Sequence, residues 1–176
     1  MTAIPQVVEA EVQRSDTPSA VANYFISKAM QEDLPITQMK LMKLVYIGYG
    51  WVLALLDRRL FDEEIQAWKH GPVIPSLYHT LKHFGNGPIT SMATEFDLDD
   101  LEFTVHHIED EDTKLILDKV WSVYKPLAAM ALRHKTHEDG SPWKSVYKAR
   151  VHNIVIPDET IKAHFIRKIN EYVNAG

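Results

Sequence analysis

The feature that most limits how this chain can fold is a run of 13 apolar, aromatic or glycine residues, from Leu44 to Leu56. A membrane span needs roughly 18 such residues or more, so the run indicates a buried helix in a globular domain. A helix that is apolar on every side must be surrounded by other elements. We therefore predict a central helix over about 38–56, with Gly48 and Gly50 allowing another element to approach closely.

Proline and capping signals predict further helices around the central one. Helix starts are expected near Pro18, Pro75, Thr113, Pro126, Trp143 and Pro157. Helical spacing places Ile161, Phe165, Ile169 and Tyr172 on the inner face of the last helix.

Two short segments, Glu64–Trp68 and Glu102–His106, have the alternating pattern of β-strands. The stretch Gly71–Pro75 is interpreted as a rigid loop because it holds a glycine and two prolines. The expected fold is mainly α: a compact helical domain around the central helix, with one or two short β-strands.

Length and composition fit one domain, because 176 residues with 45% hydrophobic side chains can bury a sizeable core. Residues 1–16 lack a helical period and are predicted to be a flexible N-terminal tail, which leaves a single domain over 17–176.

The chain has no cysteine and no apolar signal at its N-terminus, so we expect a soluble, cytoplasmic protein without a membrane partner. The net charge of −5 makes direct nucleic-acid binding an unfavoured interpretation.

No complete catalytic motif is present in the sequence. His79 and His83 are spaced to share a helix face, but a metal site needs a third ligand and His-Glu-x-x-His is absent. The chain also lacks Gly-x-Ser-x-Gly and the glycine-rich phosphate loops, whereas a paired-carboxylate site stays open. We therefore predict no catalytic residue, no metal and no cofactor. The alternative is a prophage-encoded enzyme, such as a metal-dependent hydrolase.

Three segments are more specific than composition predicts. They are Met39–Tyr46 (MKLMKLVY), Leu60–Phe61 with Ile65–Tyr78 (IQAWKHGPVIPSLY), and Thr136–Glu138 with Ser141–Trp143. In this order they resemble the Panacea domain, also called the SocA-like or GepA-like family and formerly a phage-associated family. The resemblance extends from about Ala22 to Phe165.

The resemblance implies an antitoxin of a toxin–antitoxin pair, which neutralises a cognate protein toxin by direct contact. One branch of the family is described as a proteolytic adaptor, so a ClpXP-type protease is a second expected partner. A third alternative is an adaptor or regulator that acts without any toxin.

The motifs supply the candidate partner-binding residues. Lys40, Lys43 and His70 are the favoured ones, because they are polar, and we expect them to lie together on an exposed surface. The aromatic residues have two interpretations, buried support for the fold or anchors of an interface. The full set is Lys40, Lys43, Tyr46, Trp68, Lys69, His70, Tyr78, His137 and Trp143.

The negative charge is concentrated in one stretch. Residues 95–112 hold nine acidic residues and no lysine or arginine, whereas outside them the 19 basic residues exceed the remaining 15 acidic ones by four. One interpretation is a solvated loop that leads into a helix N-terminus. The other is a segment that steers a basic partner towards the protein, through Asp97, Asp99, Asp100 and Glu102.

Overall fold

The computed structural model describes residues 15–176 of the chain. The predicted tail at 1–16 therefore lies almost entirely outside the described residues; within them, the backbone N–H of Asp16 donates to the carbonyl oxygen of Leu60. Over 15–176 the chain forms seven α-helices. They are α1 (Pro18–Gln31), α2 (Gln38–Leu56), α3 (Pro75–Leu81), α4 (Glu111–Tyr124), α5 (Ala129–His137), α6 (Pro142–Val146) and α7 (Asp158–Asn174).

Four short strands form two antiparallel hairpins in the described chain. Strand β1 (Gln66–Trp68) pairs with β2 (Gly71–Val73), and β3 (Glu95–Asp97) pairs with β4 (Glu102–Thr104). The mainly α class is confirmed. The interpretation of Gly71–Pro75 as a loop is wrong for its first three residues, because they complete the ladder of β1.

Helix α2 is the centre of the domain. Every residue from Leu41 to Gly50 is buried, and α1, α3, α4, α5, α7 and β2 all pack against the helix. By length and composition alone α2 would suit a membrane span, but 67% of its most apolar window is buried inside the domain. The prediction of a central buried helix is confirmed, although Leu55 at its end is half exposed.

The two glycines of α2 are the points of closest approach. A Cβ at Gly50 would lie 2.0 Å from Cε2 of Phe165, so the α7 ring rests directly on the α2 backbone. At Gly48 a Cβ would lie 2.7 Å from a single methyl carbon of Leu117 in α4. The predicted reason for these glycines is therefore confirmed.

Two details of the outer helices differ from the sequence prediction. Helix α5 begins at Ala129, not at Pro126, and the residues between α4 and α5 form a turn. In α7, Ile161 and Phe165 are buried as predicted. Tyr172 is 73% exposed, so the prediction that it lies on the inner face is wrong. The physical reason is that α7 extends past the elements that cover it.

We predict that Gly50→Ala destabilises the domain by about 1–3 kcal/mol, because the added methyl group overlaps a ring that is itself buried. The matched control is Gly48→Ala. Its methyl group meets only the end of a flexible leucine, and alanine gains about 1 kcal/mol of helix propensity. Urea unfolding of the two variants tests the difference. Equal free energies of unfolding for both would contradict the packing at Phe165.

Candidate partner-binding surface

The β1–β2 hairpin rests on a buried lysine from the central helix. Lys43 is only 2% exposed, and its Nζ donates a hydrogen bond of 3.0 Å to the carbonyl oxygen of Pro72. None of the ion pairs within residues 15–176 includes Lys43. Burial lowers the pKa of Lys43 to about 7, and the Arg133 guanidinium acts in the same direction. The prediction that Lys43 lies on an exposed face is therefore wrong.

Gly71 is required by the lysine beneath it. Its φ of +116° favours glycine, and a Cβ there would lie 2.8 Å from both Cε and Nζ of Lys43. The same Cβ would be 3.1 Å from the hydroxyl oxygen of Thr136 in α5. Gly71 and Pro72 of the second motif thus pack against Lys43 of the first motif, and Gly71 also packs against Thr136 of the third.

The third motif holds the other side of the hairpin. Trp143 is 6% exposed, and its Nε1 donates a hydrogen bond of 2.7 Å to the carbonyl oxygen of Trp68. The ring of His137 packs on Trp143 with 3.8 Å between centroids, and its Nε2 lies 3.4 Å from the carbonyl oxygen of Lys69. All three motifs therefore converge on the backbone of one hairpin.

Aromatic rings continue outward from this junction. Trp143 stacks on Tyr147 with 4.4 Å between ring centroids, and Trp68 packs edge-on against Tyr78 at 5.0 Å. Trp68 and Tyr78 are only partly buried, so the interpretation of the motif aromatics as buried support applies to these two only in part. A surface cleft beside them is lined by Ala67, Trp68, Lys69, Tyr147, Arg150, Val151, His152 and Asn153. This lining is aromatic and basic, with no carboxylate.

The turn of the hairpin is the exposed part of the arrangement. Lys69 and His70 lie between β1 and β2, and both are exposed. The pKa of His70 is lowered by partial burial and then by nearby cations, of which Arg133 has the largest effect. The structure thus presents two polar side chains on a turn whose backbone is fixed from below.

The remaining two motif candidates lie elsewhere. Lys40 is half buried, and its Nζ donates a hydrogen bond of 2.6 Å to the carbonyl oxygen of Lys125, at the end of α4. Tyr46 is buried against Phe165. Lys40, Lys43 and His70 therefore do not form one exposed surface, because Lys43 is buried and Lys40 contacts a different helix.

The acidic stretch forms the β3–β4 hairpin and the start of α4. Asp99, Asp100 and Glu102 are exposed, whereas the Oδ1 atom of Asp97 accepts the backbone N–H of Asp99 at 2.8 Å. Asp110 caps α4 and pairs with Arg58, and these contacts hold its carboxyl pKa below the ordinary value. The interpretation as a helix N-terminus fits Asp110, and steering by the exposed carboxylates stays a prediction.

The histidines do not assemble a metal site in the described part of the chain. Across residues 15–176, no group of three or more His, Asp or Glu side chains is placed to hold a metal ion. His79 and His83 are both exposed on α3 and the 3-10 turn that follows it.

Comparison with known proteins gives the chain a family. The model of the antitoxin SocA-like, Panacea domain family matches residues 41–144, which hold both hairpins, the second and third motifs, and the first motif from Leu41 onwards. The chain belongs to the Panacea family. It is 30% identical to antitoxin SocA of Caulobacter vibrioides over 182 residues, which cover all of this chain and 93% of that protein. No solved structure matches the chain.

Several residues of the cleft beside the hairpin were not predicted from the sequence. Tyr147, Arg150 and His152 line the cleft, but they follow the third motif along a loop. The only sequence signal was Tyr147 four residues after Trp143, the spacing of one helical turn.

The buried Lys43 predicts a pH dependence of stability. The unfolded side chain keeps the ordinary pKa of 10.5, so at pH 7.5–9.5, roughly, the unfolded state holds more protons and stability rises with pH. The rise should be at most about 1.4 kcal/mol per pH unit. Histidines whose pKa is lowered titrate below this window, and tyrosines whose pKa is raised act above it.

Lys43→Met removes this titration and should flatten the dependence. The measurement is the free energy of unfolding in urea at several pH values for both proteins. Parallel curves would show that Lys43 is charged in the folded state or is not buried.

Trp143 should contribute more to stability than Trp68. We expect Trp143→Ala to destabilise the domain by about 3–5 kcal/mol, and Trp68→Ala by less because that ring is partly exposed. Trp143→Phe keeps most of the packing and loses the hydrogen bond to Trp68, at about 1 kcal/mol. Thermal and urea unfolding check this order. If Trp143→Ala melts like the wild type, Trp143 is not structural support.

Proposed function

We propose that this chain is a non-catalytic, cytoplasmic antitoxin that neutralises a protein toxin by direct contact through the β1–β2 turn and the cleft beside it. Membership of the SocA-like family supports the antitoxin role. The observation that carries the choice of surface is the convergence of three sequence motifs beneath one exposed turn.

Rigid support makes such a turn suitable for binding. The backbone of the hairpin is held from α2 through Lys43 and from α6 through Trp143. Side chains on a turn of fixed conformation lose little conformational freedom when a partner binds. Lys69 and His70 therefore present donors at a defined position, next to the exposed edges of aromatic rings.

The cleft adds chemical selectivity to the turn. Its lining combines the rings of Trp68 and Tyr147 with the basic groups of Lys69, Arg150 and His152. Aromatic and arginine side chains are the residues that most often dominate binding energy in protein interfaces. A toxin segment with an acidic and an apolar side chain would complement this lining.

The test is co-expression with the product of the neighbouring toxin gene, scored by growth and by co-purification. Lys69→Glu/His70→Glu should abolish protection, because it reverses the charge of the turn while leaving the buried contacts in place. The matched control is Lys82→Glu/His83→Glu, which changes an exposed Lys-His pair on another element. Equal protection by both variants, at normal expression, would remove the turn from the binding surface.

The fate of the toxin in the same cells separates two modes of neutralisation. A stable complex that co-purifies indicates sequestration. Toxin that disappears only when a ClpXP-type protease is present indicates that the chain acts as a proteolytic adaptor. A wild-type chain that neither protects cells nor binds the toxin would contradict the antitoxin role itself.

A further inference from the structure

The face of the β3–β4 hairpin that points to solvent carries large apolar side chains. Phe96 and Phe103 are directly opposite each other in the register, 5.2 Å apart between ring centroids, and they are 49% and 71% exposed. At the tip, Leu98 and Leu101 are 79% and 70% exposed. Glu95 on the opposite face is less exposed than these leucines and contacts His106 at 3.3 Å. The apolar side chains thus project into solvent, and acidic groups surround them.

The base of this hairpin is fixed to the domain. Asn23 of α1 is 1% exposed, and its side-chain amide donates to the carbonyl oxygens of Ala93 and His106, each at 3.0 Å. Its Oδ1 accepts the N–H of Ala93 at 2.7 Å. Three hydrogen bonds to the buried side chain of Asn23 therefore hold both ends of the hairpin. The apolar face of the hairpin is thus held in a fixed position on the domain.

We propose that the outward face of the β3–β4 hairpin is a second docking element, which inserts Phe96, Phe103 and Leu98 into an apolar depression rimmed by lysine or arginine on the toxin. This inference rests on the proposed function and deepens it by stating the chemistry of the partner. A hairpin that ends in adjacent aromatic rings supplies the kind of anchor that dominates protein interfaces.

Charge decides between the possible occupants of this face. The segment 95–102 carries five carboxylates and no basic residue, so pairing with the same hairpin of a second copy would bring ten carboxylates together. An anionic membrane surface would be repelled for the same reason. A cationic protein surface is attracted, and the attraction acts mainly on the association rate.

The apolar contact is tested by the kinetics of binding to an inactive variant of the toxin encoded by the neighbouring gene. Phe96→Ser/Phe103→Ser should raise the dissociation rate by about tenfold or more, which corresponds to the loss of one good anchor. The matched control is Tyr172→Ser/Val173→Ser, which removes two exposed large hydrophobic side chains at the end of α7. That control should bind like the wild type.

A second variant tests the apolar contact without removing the side chains that stabilise the hairpin. Leu98→Ser keeps the Phe96–Phe103 pair and the turn formed by Asp97, so it should raise the dissociation rate while leaving the melting temperature unchanged. The charge is tested by Asp99→Asn/Asp100→Asn. This change should slow association severalfold at low salt and leave dissociation unaltered.

The outcomes separate this inference from the proposed function. If the wild type binds the toxin and the phenylalanine and Leu98 variants dissociate no faster, the hairpin is not a docking element and the proposed function stands. If ultracentrifugation shows a dimer that Phe96→Ser/Phe103→Ser converts to a monomer, the occupant is a second copy and the proposal is overturned. A wild-type chain that binds no toxin removes the proposed function and this inference together.

Discussion

Burial of α2 on every side is the constraint on which the rest of the structure depends. From Leu41 to Gly50 this helix has no solvent-exposed residue, so the other elements must enclose it. Burying a large apolar side chain stabilises a fold by about 1.5–3 kcal/mol, whereas each helical glycine costs about 1 kcal/mol. The two glycines are thus tolerated because they let Phe165 and Leu117 cover the helix closely. The positions of α4 and α7 follow from these contacts.

The candidate binding surface depends on the same helix. Lys43 lies in the buried part of α2, and its amine donates a hydrogen bond to the carbonyl oxygen of Pro72. A buried polar group of this kind must be hydrogen-bonded, so the lysine sets the distance between the β1–β2 hairpin and the helix. Trp143 fixes the other side of that hairpin. The exposed turn is therefore placed by contacts that lie wholly beneath it.

The sequence predicted features that depend on local pattern and missed those that depend on distant partners. The apolar run and the capping residues defined the helices, because these signals lie within each helix. Lys43 was misplaced because a polar residue at a helix start is usually exposed, while its partner is 29 positions away. The role of Asn23 was missed for the same reason, since its partners are 70 and 83 positions away. The sequence of β2 has no strand pattern of its own, because this strand forms only by pairing with β1, so a loop was predicted there.

The burial of the motif residues separates those that support the fold from those that are exposed. Lys43, Gly71 and Trp143 are buried, so they act on a partner only through the shape that they give to the hairpin. Residues free to touch another protein are those that the scaffold presents, such as Lys69 and the apolar tip of β3–β4. Substitutions at these exposed sites leave the buried contacts unchanged and have little effect on stability. One scaffold of this kind can therefore carry different side chains on its turns while its buried motif residues stay the same.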